Sequence, residues 1–330
     1  MPDNGLEYHA PESLDEAVAL LERCGPRAAL LGGGTDVVAA LKHGVLGKDH
    51  LVSLKRIRDH RDIAASESGD LLIGAFTPLD SIASSAAVRE RCRALAEAAG
   101  KAVSPLLRGR ATLGGNLCLD TRCWYYNQTE SWRASRPLCL KAGGARCWVN
   151  EKRNTCVALF CAETPPALMV AGARVILRGP AGERTIGVHE LYSDDGLAPL
   201  KREATEIVTT VVIPPRPPRW GSTYLKYAAR GSIDFPLLGI AAGIRLEADG
   251  RIAEARIAVT GAKSAPFRLT QFETELRGRA VPNDAERGES VARSLGTLYL
   301  SDDVPYKRRL AGLLAAEAVR RAAEFARGSA

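Results

Sequence analysis

Residues 123–156, CWYYNQTESWRASRPLCLKAGGARCWVNEKRNTC, cannot build a hydrophobic core of their own. The 34 residues hold three branched aliphatic side chains, Leu138, Leu140 and Val149, yet three of the chain's four tryptophans and four of its eight cysteines. A segment so poor in apolar bulk cannot offset the entropy of ordering unless something staples it. Cys123, Cys139, Cys147 and Cys156 can do so as thiolates around a metal centre.

The expected compartment favours that reading. The N-terminal MPDNGLEYHAPESLDEAVALLERC lacks a basic region, an apolar run and a small-residue cleavage site, and nowhere do 18 apolar residues run together. A cytoplasmic location with no membrane span is therefore expected, and there clustered cysteines read as metal ligands or reactive thiols rather than disulfides. The four are separated by 15, 7 and 8 residues, which matches neither a zinc ribbon nor the usual ferredoxin run. Spacing alone leaves the metal open, with a zinc-stapled loop as one alternative. Cys118 and Cys123 form C-x4-C without the C-x2-C continuation of a plant-type [2Fe-2S] site. Cys24 and Cys92 fall on predicted helices and read as inert thiols.

The remaining chain has ordinary globular composition, 46% apolar and 25% charged over 330 residues, enough for two or three small domains. Its formal charge of +7 is spread out, and no helix-turn-helix, finger or RNP pattern accompanies it, so no nucleic-acid partner is expected. A basic surface would suit an acidic protein partner.

Ser13 precedes the periodic Leu14, Ala17, Val18 and Leu21, with Glu16 three residues on, which predicts a capping-box helix ended by Gly25-Pro26. A strand at 28–31 runs into GGGTD and then a helix at 37–41. Further strands are expected at 50–58, 71–76, 173–177 and 206–213, with helices at 79–88 and 91–100. The proline-dense PPRPPR at 214–219 reads as a linker. Beyond it, 222–230 and the Ala248-Asp249-Gly250 turn suggest a three-stranded antiparallel unit. An amphipathic helix at 306–327 should cover it with Leu310, Leu314, Ala318, Ala322 and Phe325.

Two glycine loops stand out. GGGTD (32–36) lies between a strand and a helix, where missing Cβ atoms let backbone N–H groups close on an anion such as pyrophosphate. It is neither a P-loop nor G-x-G-x-x-G, because no Lys-Ser/Thr follows and Val37 takes the third glycine's place. ATLGGN (111–116) repeats the device.

With the paired GGGTD and T-x-G-G-N go Ala162-Glu163-Thr164-Pro165-Pro166, Lys226-x-x-x-Arg230, Asp234-Phe235, and Asp302-Asp303 before Tyr306-Lys307-Arg308. On these residues nearly the whole chain resembles the FAD-binding subunit of the xanthine oxidase family of molybdenum hydroxylases. The resemblance implies an α+β chain: a vanillyl alcohol oxidase/PCMH-type FAD-binding domain of two subdomains, 1–58 and 59–215, then a CO dehydrogenase flavoprotein-like α+β domain, 216–330. It implies that Leu30, Leu31, Gly32, Gly33, Gly34, Thr35, Asp36 and Val37 wrap the FAD pyrophosphate, with Ala102, Thr112, Gly114, Gly115 and Asn116. Glu163 would stand near the adenosine-side hydroxyls, in place of the family's usual aspartate, and Lys226 near the flavin ring. No catalytic residue is implied.

Family members pass quickly from G-G-N to the acidic motif, whereas here residues 117–161 intervene. A four-cysteine insert at this place, at about 118–161, resembles the 4-hydroxybenzoyl-CoA reductase branch, whose flavin subunit carries a [4Fe-4S] cluster as well as FAD. That resemblance implies Cys123, Cys139, Cys147 and Cys156 as ligands, Cys118 and Cys161 as bystanders, and Trp124, Tyr125, Tyr126, Trp132 and Trp148 as a screen. It implies an electron-transfer subunit, fed by ferredoxin at the basic insert, partnered by a small [2Fe-2S] subunit and a large molybdopterin subunit that dehydroxylates the substrate.

Overall fold

The computed structural model describes residues 5–231, 233–282, 288–296, 298 and 304–328. Among them, three sheets carry the chain. The first is parallel, with β1 (Glu7–His9), β2 (Ala28–Leu31) and β3 (His50–Ser53) in the order β1-β3-β2. Parallel neighbours need crossovers, supplied by α1 (Leu14–Cys24) and α2 (Val37–Lys42). Ser13 Oγ caps α1 by accepting from Glu16 N at 3.2 Å, while the Glu16 carboxylate accepts from Glu12 N rather than from Ser13. The capping box is thus half formed. Ala17, Val18 and Leu21 form the buried stripe of α1.

The second sheet is antiparallel: β4 (Ile63–Ala65), β5 (Leu71–Gly74), β6 (Arg174–Gly179), β7 (Gly182–Gly187) and β8 (Ile207–Ile213), in the order β4-β5-β8-β6-β7. The 79–88 helix divides in two, α3 (Leu79–Ser84) and α4 (Ala86–Arg91), because Ser85 leaves the helical region and caps α4 through its hydroxyl. The strand expected at 50–58 stops at Ser53 and turns into a 3₁₀ segment.

PPRPPR joins the second sheet to the third, formed by β9 (Trp220–Tyr227), β10 (Leu238–Leu246), β11 (Ile252–Thr260) and β12 (Phe267–Arg268) in the order β12-β11-β10-β9. The expected three-stranded unit therefore gains a short fourth strand. The 24-residue C-terminal helix, Val304–Arg327, lies on it through Ala311, Ala315, Ala318, Val319, Ala322, Ala323 and Ala326. Small residues bring the backbones close: a Cβ at Gly221 would stand 2.1 Å from the Ala322 carbonyl oxygen. Leu310 and Leu314 sit at the margin of this stripe rather than in it. The Asp302-Asp303 pair lies outside the described residues.

Two helices are pressed between the second and third sheets, Arg93–Lys101 (α5) and Thr164–Ala171. The latter is buried from Thr164 to Val170, as an apolar-all-round helix must be. Each helix delivers one end to the site described next.

Candidate functional site

The two glycine loops meet. A Cβ at Gly33 would stand 1.8 Å from the Arg110 carbonyl oxygen, and one at Gly32 would stand 2.9 Å from Thr112 Oγ1. Only glycine allows that approach. Gly34 adds a left-handed turn at φ +78° between β2, which holds Leu30 and Leu31, and α2, which begins at Val37. On the other side, Thr112 Oγ1 accepts from Gly115 N at 3.2 Å, while Gly114 N donates to Ala75 O at 2.7 Å. Segments about 80 residues apart thus form one glycine-lined wall of backbone.

Next to that wall runs a buried polar belt. Asn116 Oδ1 accepts from Thr164 N at 3.1 Å and Thr164 Oγ1 at 2.6 Å, and its Nδ2 lies 3.5 Å from Glu163 Oε2. Lys226 Nζ donates to Glu163 Oε1 at 2.9 Å. The same ammonium donates to Lys101 O, the residue before Ala102. Burial pushes the Glu163 carboxyl above its ordinary range, opposed mainly by the Lys226 charge and hydrogen bond. The resemblance places Glu163 and Lys226 toward opposite ends of an extended cofactor, whereas the structure joins them in one ion pair. Tyr224, on the same face of β9 as Lys226, buries a hydroxyl that has no hydrogen-bond partner among the described residues.

Sequence reasoning missed Arg122. Its guanidinium pairs with Asp36 of the first glycine loop and lies 4.5 Å over the Phe235 ring. An arginine at the head of a cysteine-rich stretch carries no signal of its own, and the pairing spans 86 residues.

The insert has little regular structure: one short helix, Glu130–Ala134, one 3₁₀ turn, and isolated bridges. Cys123, Cys139, Cys147 and Cys156 are each 9% exposed or less, and none is in a disulfide. They lie close enough for charge on one to disturb another: Cys139 and Cys156 both act on Cys123, and Cys147 and Cys139 on Cys156. Yet no three of their sulfurs come within 4.8 Å of one another, a spacing that among the described residues is met only by His9, Cys24 and His50. Tyr125, Tyr126, Leu140 and Val149 pack on Cys123 and Cys156. The Trp132 ring lies tilted against Tyr125, with centroids 6.4 Å apart. Trp124 departs from the expected screen, being 75% exposed.

The insert is bound to its surroundings by polar contacts. Arg133 donates to the carbonyls of His43 and Gly44, and Tyr126 OH to Val45 O. The buried Lys141 ammonium bonds Asp120, Thr121 and the Gly196 carbonyl. A Cβ at Gly196 would meet Cys156 Sγ at 2.8 Å, so the thiol packs against bare backbone.

Residues 4–216 match the family described as the FAD binding domain in molybdopterin dehydrogenase, and residues 223–322 match the CO dehydrogenase flavoprotein C-terminal domain. The chain belongs to the xanthine oxidase/CO dehydrogenase family of molybdenum hydroxylases, as one of its FAD-binding subunits. It is 26% identical over 289 residues to the xanthine dehydrogenase FAD-binding subunit of Escherichia coli O157:H7, covering 87% of this chain and 84% of that one. It is 27% identical over 318 residues to the carbon monoxide dehydrogenase medium chain of Hydrogenophaga pseudoflava, covering 95% and 96%. A solved structure of the Hydrogenophaga pseudoflava enzyme superposes with TM-score 0.77 at 25% identity over 96% of both chains. A structure of Cu,Mo-CO dehydrogenase superposes equally well, TM-score 0.77, at 23% identity over 97% and 98%, which shows the shared fold. Among the described residues no helix is long and apolar enough to cross a membrane.

Proposed function

We propose that the chain is the electron-transfer subunit of a 4-hydroxybenzoyl-CoA reductase, carrying FAD and a [4Fe-4S] cluster. The observation that carries this reading is the insert, with four buried, unpaired thiols in a segment that has almost no aliphatic core.

The glycine loops fit FAD, and the insert supplies the type of donor that a cluster needs, four buried thiols free of disulfides. Gly32, Gly33, Gly34, Gly114 and Gly115 leave a wall without side chains, and Leu30, Leu31, Thr35, Asp36, Val37, Ala102, Thr112 and Asn116 border it. These would hold the FAD pyrophosphate and its neighbours, and Lys226 supplies a largely buried cation beside them. For the insert, four thiols suit an iron–sulfur cluster. Bound, FAD would exchange electrons singly or in pairs and the cluster one at a time.

The chain's own residues do the rest. Tyr125, Tyr126, Leu140 and Val149 exclude water from the thiols. Six Lys/Arg against two Glu in 123–156 favour added negative charge there and offer an acidic ferredoxin a docking face. In this reading the chain relays low-potential electrons from ferredoxin to a small [2Fe-2S] subunit and on to a large molybdopterin subunit, which reductively dehydroxylates 4-hydroxybenzoyl-CoA to benzoyl-CoA.

The similarity to xanthine and CO dehydrogenase subunits favours a second reading, a hydroxylase flavin subunit that passes electrons outward. Reduction kinetics of the anaerobic protein separate the two. Flavin bleaching by reduced ferredoxin but not by NADH supports the reductase, and bleaching by NADH alone supports the hydroxylase.

A further inference from the structure

The first sheet carries a second group of metal-ligating atoms, separate from the glycine loops and from the insert. His9 on β1 and His50 on β3 face each other, with Nε2 of the first 3.2 Å from Nδ1 of the second. Glu7 precedes His9 by two residues and so shares its face of the strand. Its Oε2 lies 3.6 Å from the His9 nitrogen and 3.3 Å from the His50 nitrogen. Cys24 ends α1, three residues after buried Leu21 and on the same side of the helix. The donor atoms of His9, Cys24 and His50 lie within 4.8 Å of one another.

Without an ion this convergence is awkward. One imidazole must donate while the other accepts, the Cys24 thiol adds further lone pairs at the same place, and the Glu7 carboxylate lies beside the two rings. An ordinary ion pair would use one histidine. With an ion the distances have a simple meaning: tetrahedral zinc with bonds of about 2.0–2.1 Å to nitrogen and oxygen holds neighbouring donors about 3.3–3.4 Å apart. The two-nitrogen, one-sulfur, one-oxygen set is of borderline softness, which suits Zn²⁺ better than Ca²⁺ or Mg²⁺.

We propose that His9, Cys24 and His50, with Glu7 beside the two imidazoles as the fourth ligand, form a zinc site that clips β1 and the end of α1 to the central strand β3. Its place explains how a three-residue edge strand stays paired, since β1 contributes two of the four ligands. The site is independent of the insert and of the assignment of electron flow.

The test uses the full-length, flavin-loaded protein. It is equilibrated with Zn²⁺, dialysed against metal-free buffer, and assayed for zinc, iron and FAD, with X-ray absorption at the zinc edge. The expected result is one retained zinc per chain, with one sulfur at about 2.3 Å and nitrogen or oxygen donors at about 2.0–2.1 Å. His50→Asn and Cys24→Ser, both near-isosteric, should lose that zinc while iron and FAD stay at wild-type levels. The proposal is overturned if these variants fold with full FAD and hold as much zinc as wild type. It is equally overturned if the retained zinc has an all-sulfur shell, or if the wild type retains none.

Discussion

Lys226 Nζ lies 2.9 Å from Glu163 Oε1, 3.0 Å from Lys101 O and 2.6 Å from Asp234 O, so one ammonium ties β9 to the ends of two helices and to the 234 loop. The two side chains are 11% and 4% exposed. Such a pair is expensive to break one-sidedly, because the survivor is left as a lone buried charge.

Lys226→Met should therefore destabilise the protein by about 3–5 kcal/mol at neutral pH. Glu163→Gln should cost less, since the amide still accepts from Lys226 and the ammonium keeps both carbonyls. Thermal and urea unfolding of the two variants check the order. Equal losses would mean that the pair acts only through shape.

The same pair sets a pH dependence. Glu163 is raised above its unfolded value, so the folded state holds its proton to higher pH than the unfolded state does. Its contribution is fully present below the ordinary carboxyl pKa and is lost as pH rises through the raised folded value. Stability measured from pH 4 upward should fall with this sign in wild type, more steeply in Lys226→Met, and without this component in Glu163→Gln. A wild-type profile that matches Glu163→Gln throughout would contradict the shift.

Gly33→Ala tests the joining of the glycine loops. Its new methyl would overlap the Arg110 carbonyl, backbone that cannot swing aside, at a cost of at least about 1–3 kcal/mol. FAD content after gel filtration should drop sharply. Gly328→Ala, whose Cβ would come no nearer than 3.9 Å to any neighbour, should retain full FAD and serves as the control.

Thiol reactivity provides a further check. Burial pushes Cys92 and Cys161 up to about 12, so at pH 8 only about one molecule in ten thousand exposes a thiolate at either site. Iodoacetamide followed by peptide mass mapping should leave both unmodified in the folded protein and alkylate both in urea. Native labelling of Cys161 would mean that the segment before Glu163 opens.

Local signals were legible in the sequence and long-range pairings were not. The strand Ala28–Leu31, the Ser13 cap and the helix starting at Val37 follow from patterns a few residues wide, and the structure has each. Ser85 broke a helix that apolar spacing alone would have continued, because its side chain competes for the backbone. The three-residue β1 is too short to show a period, and β8 lies between β5 and β6 although more than 100 residues of chain separate it from β5. At the site, both glycine loops and the residues Asn116, Glu163 and Lys226 could be named in advance. Their contact could not, since the Glu163–Lys226 partners are 63 residues apart. Trp124 looked like part of a hydrophobic screen because composition reports what a segment contains and not which way a side chain faces.

The central claim is that the insert's four cysteines hold an iron–sulfur cluster beside the flavin fold. Protein purified without oxygen should contain about four iron and four acid-labile sulfide per chain with bound FAD. Serine at Cys123, Cys139, Cys147 or Cys156 should remove the iron, and serine at Cys118 should not. Zinc in place of iron, or full FAD with no metal in the insert, would contradict the account.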